Sequence, residues 1–195
     1  MAENHRRLNV GLWREGSDFR EVPPYAQLLY LMMIGDDHTR STGYLILAPG
    51  RFSEMAPTWT TEDVETALSE LEDRGYIIVD RKYQEVLIRT YTKHDYHLKN
   101  EKRAKGVANQ LAFIQSPAIK DAFALQHARL QIAQPELVCW AVWQASYPQL
   151  YAEIQRHRQA LVQEGQPDAA PVENLDYVTG ELLPDEYDMR PTPVY

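Results

Sequence analysis

The chain has 195 residues, 44% apolar and 25% charged, enough for one good core or for one domain with a smaller helical region. No run approaches the roughly 18 consecutive apolar residues of a membrane span, and Met1–Arg7 is not followed by the apolar stretch of a secretory leader, so a cytoplasmic protein without membrane contact is expected. The formal net charge of −8 argues against a nucleic-acid partner, but local charge rather than the sum decides that, and the charge here is unevenly placed.

In chain order, Pro23-Pro24 opens a helix over 25–34 that Gly35 closes; proline suits a first turn and glycine a stop. Leu28, Leu29, Leu31, Met32 and Ile34 make it apolar on most faces, which predicts the central core helix, with Leu12, Trp13 and Phe19 packed on it as satellites. Turn-forming residues from Asp36 to Thr42 predict a loop, 43–47 a short strand ended by Pro49-Gly50, and 51–56 one or two helical turns. The clearest helix starts at Thr60 or Thr61. Val64, Ala67, Leu68 and Leu71 recur at helical spacing, Thr60 with Asp63 resembles a capping box, and Asp73-Arg74-Gly75 closes the run. Two beta-favouring runs, 76–80 and 85–91, flank the polar turn 81–84 and predict a hairpin.

Beyond the hairpin, 100–114 predicts a helix with a basic first half and an apolar second half. Ser116-Pro117 is an N-cap and first-turn pair opening a helix to about Ile132, Pro135 starts another apolar segment, and 147–162 suits one more amphipathic helix. From Glu164 onward glycine, proline and acids dominate without a period, which predicts a disordered or loosely docked tail. The expected architecture is mainly α with a small β-hairpin (α+β). Residues 1–98 form a winged helix-turn-helix, 99–163 a C-terminal helical region, and 164–195 the acidic tail.

The runs Leu12–Arg20, Ala26–Leu31, Gly43-Tyr44-Leu45, Glu62–Leu68, Gly75–Asp80, Glu85–Thr90 and Lys93-His94-Asp95 resemble winged-helix proteins of actinobacterial phages and prophages. They are similar to the N-terminal domains of phage replisome organisers and DnaD-type primosomal proteins. The resemblance covers roughly residues 5–130, and its motifs are mostly structural. It implies double-stranded DNA as partner and a role in replication initiation or transcriptional regulation, in the host cytoplasm. C-terminal helices would then serve homodimer contacts or contacts to a replicative helicase or its loader.

Charge decides where DNA contact is expected. The tail carries eight acids against Arg190 alone, whereas 81–105 carries Arg81, Lys82, Arg89, Lys93, Lys99, Lys102, Arg103 and Lys105 against three acids. Those cations, at the hairpin tip and in the segment after it, are the candidate phosphate contacts, with Tyr91, Tyr96 and His97 interleaved and Arg6 and Arg7 as a groove-reaching arm. In a helix-turn-helix the second helix normally reads bases, yet 61–74 turns Glu62, Glu65, Ser69 and Glu72 outward, which repels phosphate. The alternative function is therefore a protein-binding adaptor or inhibitor that uses this acidic helix, through Glu62, Glu65 and Ser69, together with the acidic tail. Trp140 and Trp143 read either as core or as a partner surface.

No phosphate-binding glycine loop, nucleophile elbow or paired cysteine motif is present, so no catalytic residue, cofactor or metal site is expected. His94-x-x-His97 lacks a second ligand pair, and Asp36-Asp37-His38 suits a turn. The single cysteine, Cys139, sits in an apolar run and reads as a small buried hydrophobe.

Overall fold

The computed structural model describes residues 10–89, 91–94 and 96–163, leaving Arg6, Arg7 and the tail outside the description. Helix α1, Pro24–Gly35, takes Pro24 in its first turn and buries Ala26, Leu29, Tyr30 and Met33, one stripe at helical spacing. The helix is a core helix, but fewer of its apolar faces are covered than expected: Leu28 stays 44% exposed and Tyr25 38%, because one face meets the core. Phe19 is fully buried between Tyr30 and Tyr76, whereas Trp13 is 41% exposed and reaches Phe19 edge-on and Gln27 by a hydrogen bond. Strand β1, Tyr44–Ile46, and the short helix α2, Pro49–Met55, follow.

Helix α3, Thr61–Asp73, begins with the expected capping box. The Thr60 hydroxyl accepts from Asp63 N at 3.2 Å, and the Asp63 carboxylate accepts from Thr60 N at 2.7 Å. It ends where Gly75 takes φ +74°, which lets Tyr76 N donate to the Leu71 carbonyl at 2.8 Å. Strands β2, Ile77–Asp80, and β3, Glu85–Ile88, form the hairpin, and β1 joins it to give an antiparallel sheet of order β1-β3-β2. The second strand is shorter than expected: Tyr91–His94 forms a helical turn, α4, instead of continuing it. Tyr91 Cβ lies 2.6 Å from where a Cβ on Gly43 would stand, so glycine at 43 (φ +79°) permits that turn to close on the sheet.

Residues on opposite faces of the sheet enter two cores. Leu45, Ile77, Val86 and Ile88 join the core of α1, α2 and α3. Tyr44 and Leu87 face the other way, into a core built by the C-terminal helices, with Ile78 packed against it. All four residues of β3 are buried, so this central strand is covered on both sides.

The C-terminal helices are α5, Glu101–Gln110, α6, Pro117–Ala133, α7, Val138–Ser146, and α8, Pro148–Gln163. Asn100 caps α5 and Ser116 caps α6, each accepting from the backbone three residues on, at 3.1 Å. Helix α6 lies on the sheet and packs along α8, while α7 packs on α5. The parts expected at 1–98 and 99–163 thus share one sheet. Glu85, 3% exposed, fastens them: its carboxylate accepts from Gln115 N (2.8 Å), Ser116 N (2.9 Å) and the Tyr44 hydroxyl (3.2 Å). Ser116 Oγ in turn donates to Asp80 at 2.6 Å. Among the described residues, no helix is long and apolar enough to cross a membrane.

Candidate nucleic-acid interface

Among the described residues, the cations expected at the hairpin tip and in the segment after it do not gather on one surface. Arg81, at the hairpin tip, donates to Glu72 at 2.9 Å and lies 3.9 Å from Glu65, so it is spent on α3. The Glu72 hydrogen bond holds its pKa above the ordinary arginine value, although partial burial works the other way. Lys82 is exposed and lies 5.3 Å over the Tyr83 ring. Arg89 is half-buried and donates to the Gly75 carbonyl at 2.8 Å, facing α6 and not the hairpin tip. Lys105 is bound by Glu101 one turn earlier at 2.7 Å. The side chains of Lys93, His94, Tyr96 and His97 lie outside the described residues, as do Arg6 and Arg7.

Topology separates what remains. The tip is fixed to Ser116 at the start of α6, whereas Thr92 meets His127 in its second half at 3.1 Å. Trp143, edge-on to the His127 ring, donates to the Ala104 carbonyl of α5 at 2.9 Å. Ser116 and His127 are about 16 Å apart along a helix rising 1.5 Å per residue. Tip and first turn of α5 therefore attach to different parts of α6, a consequence of β3 leading the chain away from the turn.

A smaller cationic face does form along α5. Lys102 and Arg103 are exposed on its first turn and make no ion pair among the described residues, and Lys99 is exposed just before them. The single acid of this helix, Glu101, is already held by Lys105, and hydrogen bonding to that ammonium lowers its pKa. At the far end Gln110 accepts from Thr42 N at 3.3 Å, which brings in the loop between α1 and β1. There Arg40 lies 4.7 Å over the ring of Phe113, itself 54% exposed. Lys102 and Gln110 are about 12 Å apart along the helix. The result is a strip with arginine or lysine at both ends and an exposed aromatic ring at one. Arg40 was not among the sequence candidates. Its place depends on a contact between residues 42 and 110, and nothing local in Asp36–Thr42 signals it.

One side of α3 is acidic. Glu62 and Ser69 are exposed and Glu65 partly so, all along one side of α3, with the Ser69 hydroxyl returned to the Glu65 carbonyl at 3.1 Å. Trp140 and Trp143 are core, at 5% and 0% exposure, each indole N–H satisfied by a carbonyl, so neither offers a surface to a partner. Asp36 is a loop anchor: burial would raise its pKa, but hydrogen bonds from His38 and Arg51 outweigh that and hold it low. Burial pushes the Cys139 thiol up to about 12, which leaves no thiolate for chemistry at neutral pH. Among the described residues no three His, Cys, Asp or Glu side chains converge on a point.

Comparison of the chain with protein-family models, with curated proteins and with solved structures finds no match.

Proposed function

We propose that residues up to the hairpin form a winged-helix module and that the chain is a non-enzymatic phage DNA-binding protein, acting in replication initiation or transcriptional regulation. Two things support the module: the order helix, strand, helix, helix, strand, strand, and a sheet in which the first strand pairs with the last. The phage and replication parts of the reading come from the resemblance of the sequence motifs. The observation that carries DNA contact is the α5 strip, where Lys102, Arg103 and Arg40 project without a paired carboxylate among the described residues. The hairpin tip becomes a minor contact through Lys82, because Arg81 is held by Glu72.

Fluorescence anisotropy with a labelled duplex, titrated at several salt concentrations, tests this. Arg40→Ala, Lys102→Ala and Arg103→Ala together should flatten the plot of log K against log salt by about 2.7, at roughly 0.9 per lost phosphate contact. Arg81→Ala should leave the slope unchanged. Equal slopes for the wild type and the triple variant, or loss of binding with Arg81→Ala alone, would remove the strip from the interface.

A second reading is favoured by one observation: α3 exposes Glu62, Asp63 and Asp73, where a conventional recognition helix would carry donors for bases and phosphates. On that reading the acidic face engages a basic surface of a host or phage protein. No duplex binding by the full chain at low salt would favour it.

A further inference from the structure

Between β2 and α6 lies a cleft of about 220 Å³, far above the roughly 10–15 Å³ that admits one water. Its lining is apolar at Ile78 and Leu125 and polar at Arg89, Gln126 and Arg129. The Arg129 Nε and the Gln126 Nε2 are buried behind this wall and make no hydrogen bond among the described residues. Arg129 forms no ion pair among the described residues. Arg89 spends one N–H on the Gly75 carbonyl, which fixes its guanidinium at the cleft wall. Burial, and then the neighbouring Arg129 charge, hold the Arg89 pKa below the ordinary arginine value. Glu72 also lines the cleft, and its carboxylate accepts from Arg81 at 2.9 Å, which offsets its charge there.

Two guanidinium groups facing one cleft repel each other unless an anion lies between them, and buried donors without acceptors are a standing cost. Arg is the side chain that suits a multidentate oxyanion, because its planar fork presents parallel N–H groups. From this juxtaposition we infer that the Arg89–Arg129 cleft is a binding site for a phosphate dianion, either free or nucleotide phosphate or the terminal phosphate of a nucleic-acid strand. Paired positive charges match a phosphomonoester better than a singly charged carboxylate or backbone phosphodiester. Gln126 supplies a third, neutral donor to a tetrahedral group with several acceptor oxygens. The site does not rest on the α5 reading, since its cations lie on β3's exit and on α6.

The test is thermal unfolding of the full chain with inorganic phosphate, glutamate or chloride at matched ionic strength. Phosphate at about a hundredfold excess over Kd should raise Tm by roughly 5–10 °C. Glutamate and chloride should not. Arg129→Gln should weaken phosphate binding by roughly tenfold to a hundredfold. Without phosphate it should melt no lower than the wild type, since one of two like charges is gone. Arg129→Lys, which keeps charge but loses the planar fork, should bind more weakly than the wild type and guards against a folding defect in the first variant. A 5′-phosphorylated oligonucleotide that outcompetes its 5′-hydroxyl twin, only when Arg129 is present, identifies a strand end as the source. Equal competition by the two, with the phosphate shift retained, identifies free or nucleotide phosphate. A wild type indifferent to millimolar phosphate, a glutamate shift equal to that of phosphate, or an unchanged phosphate shift in both variants overturns the site.

Discussion

His127 is fully inside the protein, stacked on Phe123 at 3.9 Å between ring centroids. Its Nδ1–H donates to the Phe123 carbonyl at 2.7 Å, which leaves Nε2 to accept from the Thr92 hydroxyl at 3.1 Å. Both nitrogens are thus satisfied in the neutral ring, and burial pushes the pKa down to about 4, against a smaller opposing effect of the Phe123 carbonyl. An unfolded chain protonates this histidine near pH 6.5 and the native protein only near pH 4. Between those values the unfolded state binds more protons, so stability falls as pH drops from 6.5 to 4 and is unaffected by this group above that window. The loss should be on the order of 3 kcal/mol. Urea melts across pH 4–7 measure it. His127→Gln should remove most of that slope whatever its own baseline, and a variant with the wild-type slope would show that other groups set the acid limit.

At the scale of elements, what was legible and what was not divide along a physical line. Local signals placed α3 and its capping box, the Ser116-Pro117 start of α6 and the hairpin turn. Cap chemistry and 3.6-residue spacing are written within a few positions of each other. Leu28, expected in the core helix, is exposed because burial depends on which face finds a neighbour, whereas Trp13 packs edge-on against buried Phe19 as a satellite should. The run Val86-Leu87-Ile88 did carry a missed signal: an apolar strand without alternation marks a sheet covered on both faces. Glu85 beside it is the junction between the halves, and it could not be read from sequence because its donors come from Tyr44, Gln115 and Ser116. Burial, and then the charge of Glu85, push the Tyr44 hydroxyl up to about 12, so it remains a donor throughout the working range. Glu85→Ala strands three donors and should destabilise the protein by roughly 3 kcal/mol, while Glu85→Gln, which keeps an acceptor oxygen, should cost less. Chemical denaturation checks this. Equal, small losses in both variants would mean that solvent reaches the junction.

For the molecule as a whole, the charge was polarised along the sequence as read, but folding redistributed it. Of the eight cations counted between residues 81 and 105, Arg81 and Lys105 are matched by carboxylates and Arg89 turns to the cleft. Salt bridges at the surface contribute little to stability, yet they decide which charges a phosphate meets unpaired. The site was legible as a basic segment and illegible as a surface. Pairing of Arg81 with Glu72, and the approach of Arg40 to Phe113, are tertiary events with no local trace. The most direct test places a photo-crosslinking residue at Asn109, exposed near the end of α5, and separately at Thr66, exposed on α3. Irradiation with duplex DNA should give a protein–DNA adduct from position 109 and none from 66. An adduct from 66 alone would contradict the assignment of DNA to the α5 face.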